Sequence, residues 1–228
     1  MNKKNIGLIV IAFLLFPISL MAQKEEGEKH RIKFTPTRLV EILYPGLELG
    51  YENRYGSFSS QFSAAYLVDI FGVLMDTHSL NGYHFKFEEK YFSQKLPTKK
   101  WFKSYVSVEI NYNYVKQNTY VYFLPVEYKH FSWEEQMEYA YSGNYDLQRK
   151  AIVANLKFGL QIKVKKIIFE PTGGIGIGFQ NVVYYNKLNP EDIFFKTSHH
   201  PNVYEMTQKE GHSILPNFTL SFRIGYMF

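Results

Sequence analysis

Among the seven histidines of this 228-residue chain, His84, His130, His199, His200 and His212 could work with Ser213, Asp192 and Glu205 in acid–base or nucleophilic chemistry. Such a site needs an imidazole that takes a proton from a hydroxyl and a carboxylate that orients the imidazole. His212 and Ser213 are adjacent, so on an extended chain their side chains point to opposite faces and cannot share a proton. His199, His200, Glu205 and His212 are also donors that suit Zn²⁺ or Cu²⁺, but the histidines beside Pro201 read equally as turn residues, and no metal or cofactor is expected. With no cysteine, the chain has no thiolate zinc site, cysteine nucleophile, disulfide or lipid-modified cysteine. The run Gly173-Gly174-Ile175-Gly176-Ile177-Gly178 lacks the helix that a dinucleotide-binding turn requires. No sequence pattern brings catalytic groups together, so the enzyme question turns on the elements that position them.

Those elements are strands. From Asn217 the chain alternates without a break: Phe218, Leu220, Phe222, Ile224, Tyr226 and Phe228 share one face, and Asn217, Thr219, Ser221, Arg223, Gly225 and Met227 share the other. Ile152, Ala154, Leu156, Phe158, Leu160, Ile162 and Val164 alternate with Val153, Asn155, Lys157, Gly159, Gln161 and Lys163. Similar patterns predict eight strands, over 31–40, 46–54, 57–70, 81–92, 103–116, 148–164, 167–184 and 217–228. Glu89 falls on the apolar face of its strand, where a bulge or an interfacial position would accommodate it. The connections alternate between short turns (55–56, 93–100, 165–166) and mostly longer loops (41–45, 71–80, 117–147, 185–216). This is the pattern of an antiparallel up-and-down transmembrane barrel, with turns on the periplasmic side and loops outside.

Composition agrees. Aromatic residues make up 18% of the chain, yet no apolar run after residue 22 approaches the length of a membrane-spanning helix. Lys3 and Lys4 precede an apolar stretch from Ile6 to Met21 that ends in Ala22, the layout of a cleavable signal peptide over residues 1–22. Residues 23–30 are expected to be a mobile lead-in and residues 31–228 a single barrel domain. Cleavage leaves 24 basic and 21 acidic residues, an excess of +3 that is too small, and without an aromatic-basic block, to imply nucleic acid.

The ending Phe222-Arg223-Ile224-Gly225-Tyr226-Met227-Phe228 resembles the carboxy-terminal signature of bacterial outer-membrane barrel proteins, and the whole mature chain is similar to the small OmpA/OmpX-type barrels. The resemblance implies a Gram-negative outer-membrane location, contact with lipid and lipopolysaccharide, and recognition of Phe222, Ile224, Tyr226 and Phe228 by the barrel-assembly machinery. The inward faces carry Lys33, Glu48, Glu52, Asp69, Lys86, Glu88, Lys90, Glu109, Lys157, Lys163, Glu170 and Arg223, a balanced set expected to form a salt-bridged plug in a lumen that side chains fill. A narrow pore is accordingly the third reading. A lipid A deacylase or acyltransferase is the second; barrels with that deacylase activity place His and Ser two residues apart on one strand face, whereas the His130-Phe131-Ser132 spacing of this chain falls within the loop 117–147. The first is a structural or surface-interaction barrel. Its candidate contact surface lies in the loop 117–147, where Tyr128, Phe131, Trp133, Tyr139 and Tyr141 accompany Glu134 and Glu135. Extracellular proteins or glycans would be its partners. Alternatively, Tyr120 to Leu124 and Tyr139 to Tyr145 would extend the flanking strands beyond the membrane and pack on one another.

Overall fold

Runs that alternate apolar and polar residues form extended strands here, and each strand separates two different surroundings. The computed structural model describes residues 30–40, 45–68, 77–93, 101–195 and 207–228. Its strands are β1 (His30–Phe34), β2 (Gly46–Tyr55), β3 (Phe58–Leu67), β4 (Thr77–Phe92), β5 (Phe102–Leu124), β6 (Tyr141–Val164), β7 (Ile167–Tyr185), β8 (Ile193–Phe195) and β9 (Gly211–Met227). Chain neighbours from β1 to β7 pair antiparallel, and β9 pairs with both β7 and β1. Eight strands thereby close into one up-and-down ring, the predicted fold class. The short β8 lies outside the ring and pairs with the far end of β5 through Tyr122↔Phe195 to Leu124↔Ile193.

The ring is inside-out relative to a water-soluble globule. On β6, Phe158 is 63% exposed on the outer face, whereas Asn155 on the inner face is 3% exposed. The same split holds for Leu49 against Glu48, Phe85 against His84, and Ile224 against Arg223. Apolar residues outside and buried charges inside require both a non-aqueous exterior and mutual pairing within.

Several boundaries differ from the sequence reading. β1 ends at Phe34, not at 40, because Pro36 fixes its own φ and opens a 3₁₀ turn over Pro36–Val40. His30, assigned to the lead-in, is the first residue of β1. β4 starts at Thr77 and β9 at Gly211, both earlier than predicted. The largest change is at the loop 117–147, where β5 and β6 stay paired through Tyr120↔Asn144 to Phe123↔Tyr141. Only a short connection is left, with a 3₁₀ turn (Val126–Tyr128) and a helix α1 (Trp133–Tyr139). β8 falls within a stretch read as loop. The leader, residues 23–29, and Asp69, His199, His200 and Glu205 lie outside the described residues.

Local chemistry explains the details. Gly56 turns β2 into β3 at φ 60°, a left-handed conformation that costs glycine little. Gly159 allows the Tyr105 ring to lie against the inner wall: a Cβ there would sit 2.1 Å from the ring. The β6–β7 register runs to Gly159↔Thr172 and resumes at Ile162↔Phe169, and Pro171, which has no N–H, lies in the gap. Glu89 stays in register without a bulge, and its carboxylate accepts hydrogen bonds from the Tyr55 hydroxyl and from Ser60 Oγ at 2.5 Å.

Candidate functional site

The inward residues of the half nearest the turns form one connected ionic web. Arg223, fully buried, donates to Glu88 at 2.6 Å, to Glu170 at 3.0 Å and to Glu109 at 3.4 Å. Lys90 donates to Glu52 and Glu170, each at 2.7 Å, and Lys33 also joins both carboxylates. Arg31 closes on Glu52 at 2.5 Å, and Lys157 on Glu109 at 2.8 Å. Glu48 and Lys86 form a separate pair at 2.7 Å. Neutral donors satisfy the remaining oxygens: Ser107 on Glu88, Asn155 on Glu109, Gln161 on Glu170 and Thr35 on Glu48. Because every carboxylate in the web has at least two partners, the charges can remain buried.

Of the candidate inward charges, Lys33, Glu48, Glu52, Lys86, Glu88, Lys90, Glu109, Lys157, Glu170 and Arg223 face into the ring and take part in these pairs. Lys163 is placed apart from them. It has the inward parity, but it lies two residues before the turn at Lys165, where its backbone N–H bonds Trp101 O at 2.7 Å and its side chain is exposed at the rim. Alternation encodes the face and not the height, so the sequence could not distinguish rim from lumen. Arg31 was missed although it shares its face with Lys33, because Pro36 shortened the pattern.

The opposite end is closed by apolar packing. Val121, Phe123, Leu147, Val182 and Tyr184 form a core, with Tyr141, Tyr145 and Phe194 against it. The Tyr141 hydroxyl donates to Asp192 Oδ2 at 2.6 Å. Burial, followed by that carboxylate, raises the Tyr141 phenol above its usual range. Tyr141, a candidate for surface contact, is therefore half-buried in this lid.

Above the lid stands a crown. Tyr128 and Tyr139 stack with ring centres 4.1 Å apart, and Phe131 meets both edge-on. Ser132 caps α1: its hydroxyl accepts from the Glu135 N–H while the Glu135 carboxylate accepts from the Ser132 N–H at 2.9 Å. The bonds from Ser132, the backbone one first, hold the Glu135 carboxyl below its ordinary range. Phe131, Glu134, Met137, Glu138 and Tyr139 are exposed, and Trp133 is half-buried.

The catalytic ingredients are scattered. His212 is exposed on the outer face, Ser213 points inward, His130 is in the crown connection, and Asp192 is engaged with Tyr141. Among the described residues no group of three or more His, Asp and Glu is placed to hold a metal ion.

No family model matches the chain, and no curated protein matches it. Among solved structures, it is similar to a major outer membrane protein from Thermus thermophilus, at 9% sequence identity and a TM-score of 0.37, over 88% of this chain and 98% of that one.

Proposed function

We propose that this chain is an outer-membrane β-barrel that carries the β5–β6 crown to the cell surface as a contact surface for an extracellular protein or glycan. The outer face supports the membrane placement. Tyr83 and Tyr91 lie eight residues apart on β4, about 20 Å along the membrane normal for a strand tilted by ~40°, with Phe85 and Phe87 between them. Within the band the outward Glu89 is held by Tyr55 and Ser60, and outward lysines begin above it at Lys116 and Lys150. The signal-like leader and the final aromatic strand support export and recognition by the assembly machinery. The ionic web and the aromatic lid favour a closed interior over a pore.

The observation that carries the reading is the crown itself. A ladder that continues past Lys116 and Lys150 ends in a connection and capped helix where exposed Phe131, Met137 and Tyr139 stand among Glu127, Glu134 and Glu138. Rigid aromatic residues held by stacking contribute contact area at small entropic cost. The test is surface display of the wild type and of a Phe131→Ala, Tyr139→Ala variant over arrays of immobilised glycans and extracellular proteins. A ligand whose affinity falls about tenfold or more in the variant supports the reading. Equal binding by both, or loss of acyl chains from lipopolysaccharide incubated with the pure protein, overturns it, the latter in favour of a lipid-modifying enzyme.

A further inference from the structure

β1 closes the ring over a short distance only. It pairs with β9 from Phe34↔Ile224 to Arg31↔Met227, whereas β7 pairs with β9 along almost its whole length, from Val182↔Gly211 to Ile167↔Tyr226. Above the closure the Phe222 N–H, turned away from β7, donates to Thr37 Oγ1 at 3.1 Å. By alternation the backbone groups of Leu220, Phe218, Pro216, Ile214 and His212 turn to the same side. Among the described residues no strand pairs with them there. Pro216 has no N–H and blunts this edge against an added strand.

Among the described residues the ring is open sideways at this point. Inward residues of β9 are buried from Arg223 to Met227, where β1 covers them, but Ser213, Leu215, Asn217, Thr219 and Ser221 are only half-buried. The pairing rows Ile152↔Phe179↔Ile214 and Phe158↔Gly173↔Leu220 place the gap at the depth of the apolar band. Bare backbone at that depth is tolerated where it lines a polar cavity or meets a polar group.

In a ring of eight, β4 stands opposite β9, and an inward side chain of β4 without a partner among the described residues is His84. It is 4% exposed, and neither of its ring nitrogens has a hydrogen-bond partner there. Lys86, Arg38 and Lys157 lie near it, Lys86 being paired with Glu48 and Lys157 with Glu109. Hydroxyl and amide groups, edge N–H groups and the His84 imidazole make the inner side of the gap rich in donors. Its outer lip carries Phe218 and Leu220, 81% and 88% exposed.

We infer that the gap between β1 and β9 is a lateral opening that admits an amphiphile with an anionic head, the head lying inside toward His84 and the tail outside along Phe218 and Leu220. The donors match an acceptor-rich carboxylate or phosphate, and the lip matches an alkyl chain. The site rests on the membrane placement proposed above and not on the crown, so loss of crown binding would leave it standing.

Since the chain has no cysteine, a Thr37→Cys, Ser221→Cys pair, placed where Thr37 Oγ1 already bonds the Phe222 backbone, can be oxidised to pin the lower edge of the opening. The wild type and this variant, inserted in phosphatidylcholine vesicles, would be assayed for binding of labelled palmitate, with methyl palmitate and inorganic phosphate as competitors. Insertion is followed in the same samples by protease protection. Palmitate should bind one site and neither competitor should displace it. Oxidation should weaken binding about tenfold or more, reduction should restore it, and His84→Ala should weaken it by a similar factor. Absence of palmitate binding, equal binding by the locked form, or displacement by the ester would overturn the inference. Displacement by phosphate alone would overturn the amphiphile in favour of a free anion. Failure to insert would overturn it separately, through the placement on which it rests.

Discussion

Glu170 accepts hydrogen bonds from Lys33, from Lys90 at 2.7 Å, from Arg223 at 3.0 Å and from Gln161 at 3.2 Å, all of them buried. A carboxylate shared by three cations is what allows three cations to remain away from water. Glu170→Gln keeps the shape and removes the charge, leaving the cations in excess. It should cost about 3 to 5 kcal/mol in reversible unfolding from lipid vesicles, the range for breaking a buried pair from one side. Adding Lys33→Met should recover part of that loss, since it removes one of the cations left in excess. A loss under ~1 kcal/mol for Glu170→Gln would mean that water reaches the web and screens it.

At the scale of the element, alternation made most of the ring legible. The two faces of β2 to β7 and β9 follow largely from period two, because shifting a strand by one residue would put most of its charges outside and most of its outward aromatic residues inside. What alternation leaves out is height and partnership. It placed Lys163 on the correct face but not at the rim, and it could not separate membrane strand from crown strand between Gln117 and Leu147. The opening beside β9 was written in Pro36 and Pro216, yet it becomes readable only when β1 and β9 are known to be neighbours. The functional site was less legible than the fold: His84 was noted only as a loose catalytic ingredient, because nothing local shows that its nitrogens lack partners. The final strand provides the test at this scale. Tyr226 and Phe228 lie on its outer face where β9 meets both β1 and β7, and His30 stacks on Phe228. Replacing both with Ser should leave export intact and abolish insertion, read by protease accessibility of the exported chain. Normal insertion of that variant would remove these residues from any role in assembly.

At the scale of the whole molecule, the account rests on the exchange of inside and outside. A ring with Phe158, Ile175 and Leu220 facing outward and Lys33, Lys90 and Arg223 enclosed has no stable place in water, while in a bilayer the same distribution buries the apolar face; among the described residues each ring strand pairs with two neighbours, β9 with β1 over only part of its length. The crown, the lid and the lateral opening have meaning only if that placement is correct. Neighbouring residues on β9 separate the two environments most sharply: Phe218 faces outward, whereas Thr219 faces the half-open interior beside the gap. The decisive measurement is the free energy of folding into lipid vesicles, by denaturant titration, for Phe218→Lys and Thr219→Lys. Lysine on the lipid side should cost roughly 2 to 4 kcal/mol, and lysine on the inner side, where it can reach water and carboxylates, well under half of that. Equal losses, or a larger loss for Thr219→Lys, would contradict a barrel with lipid outside and charges within.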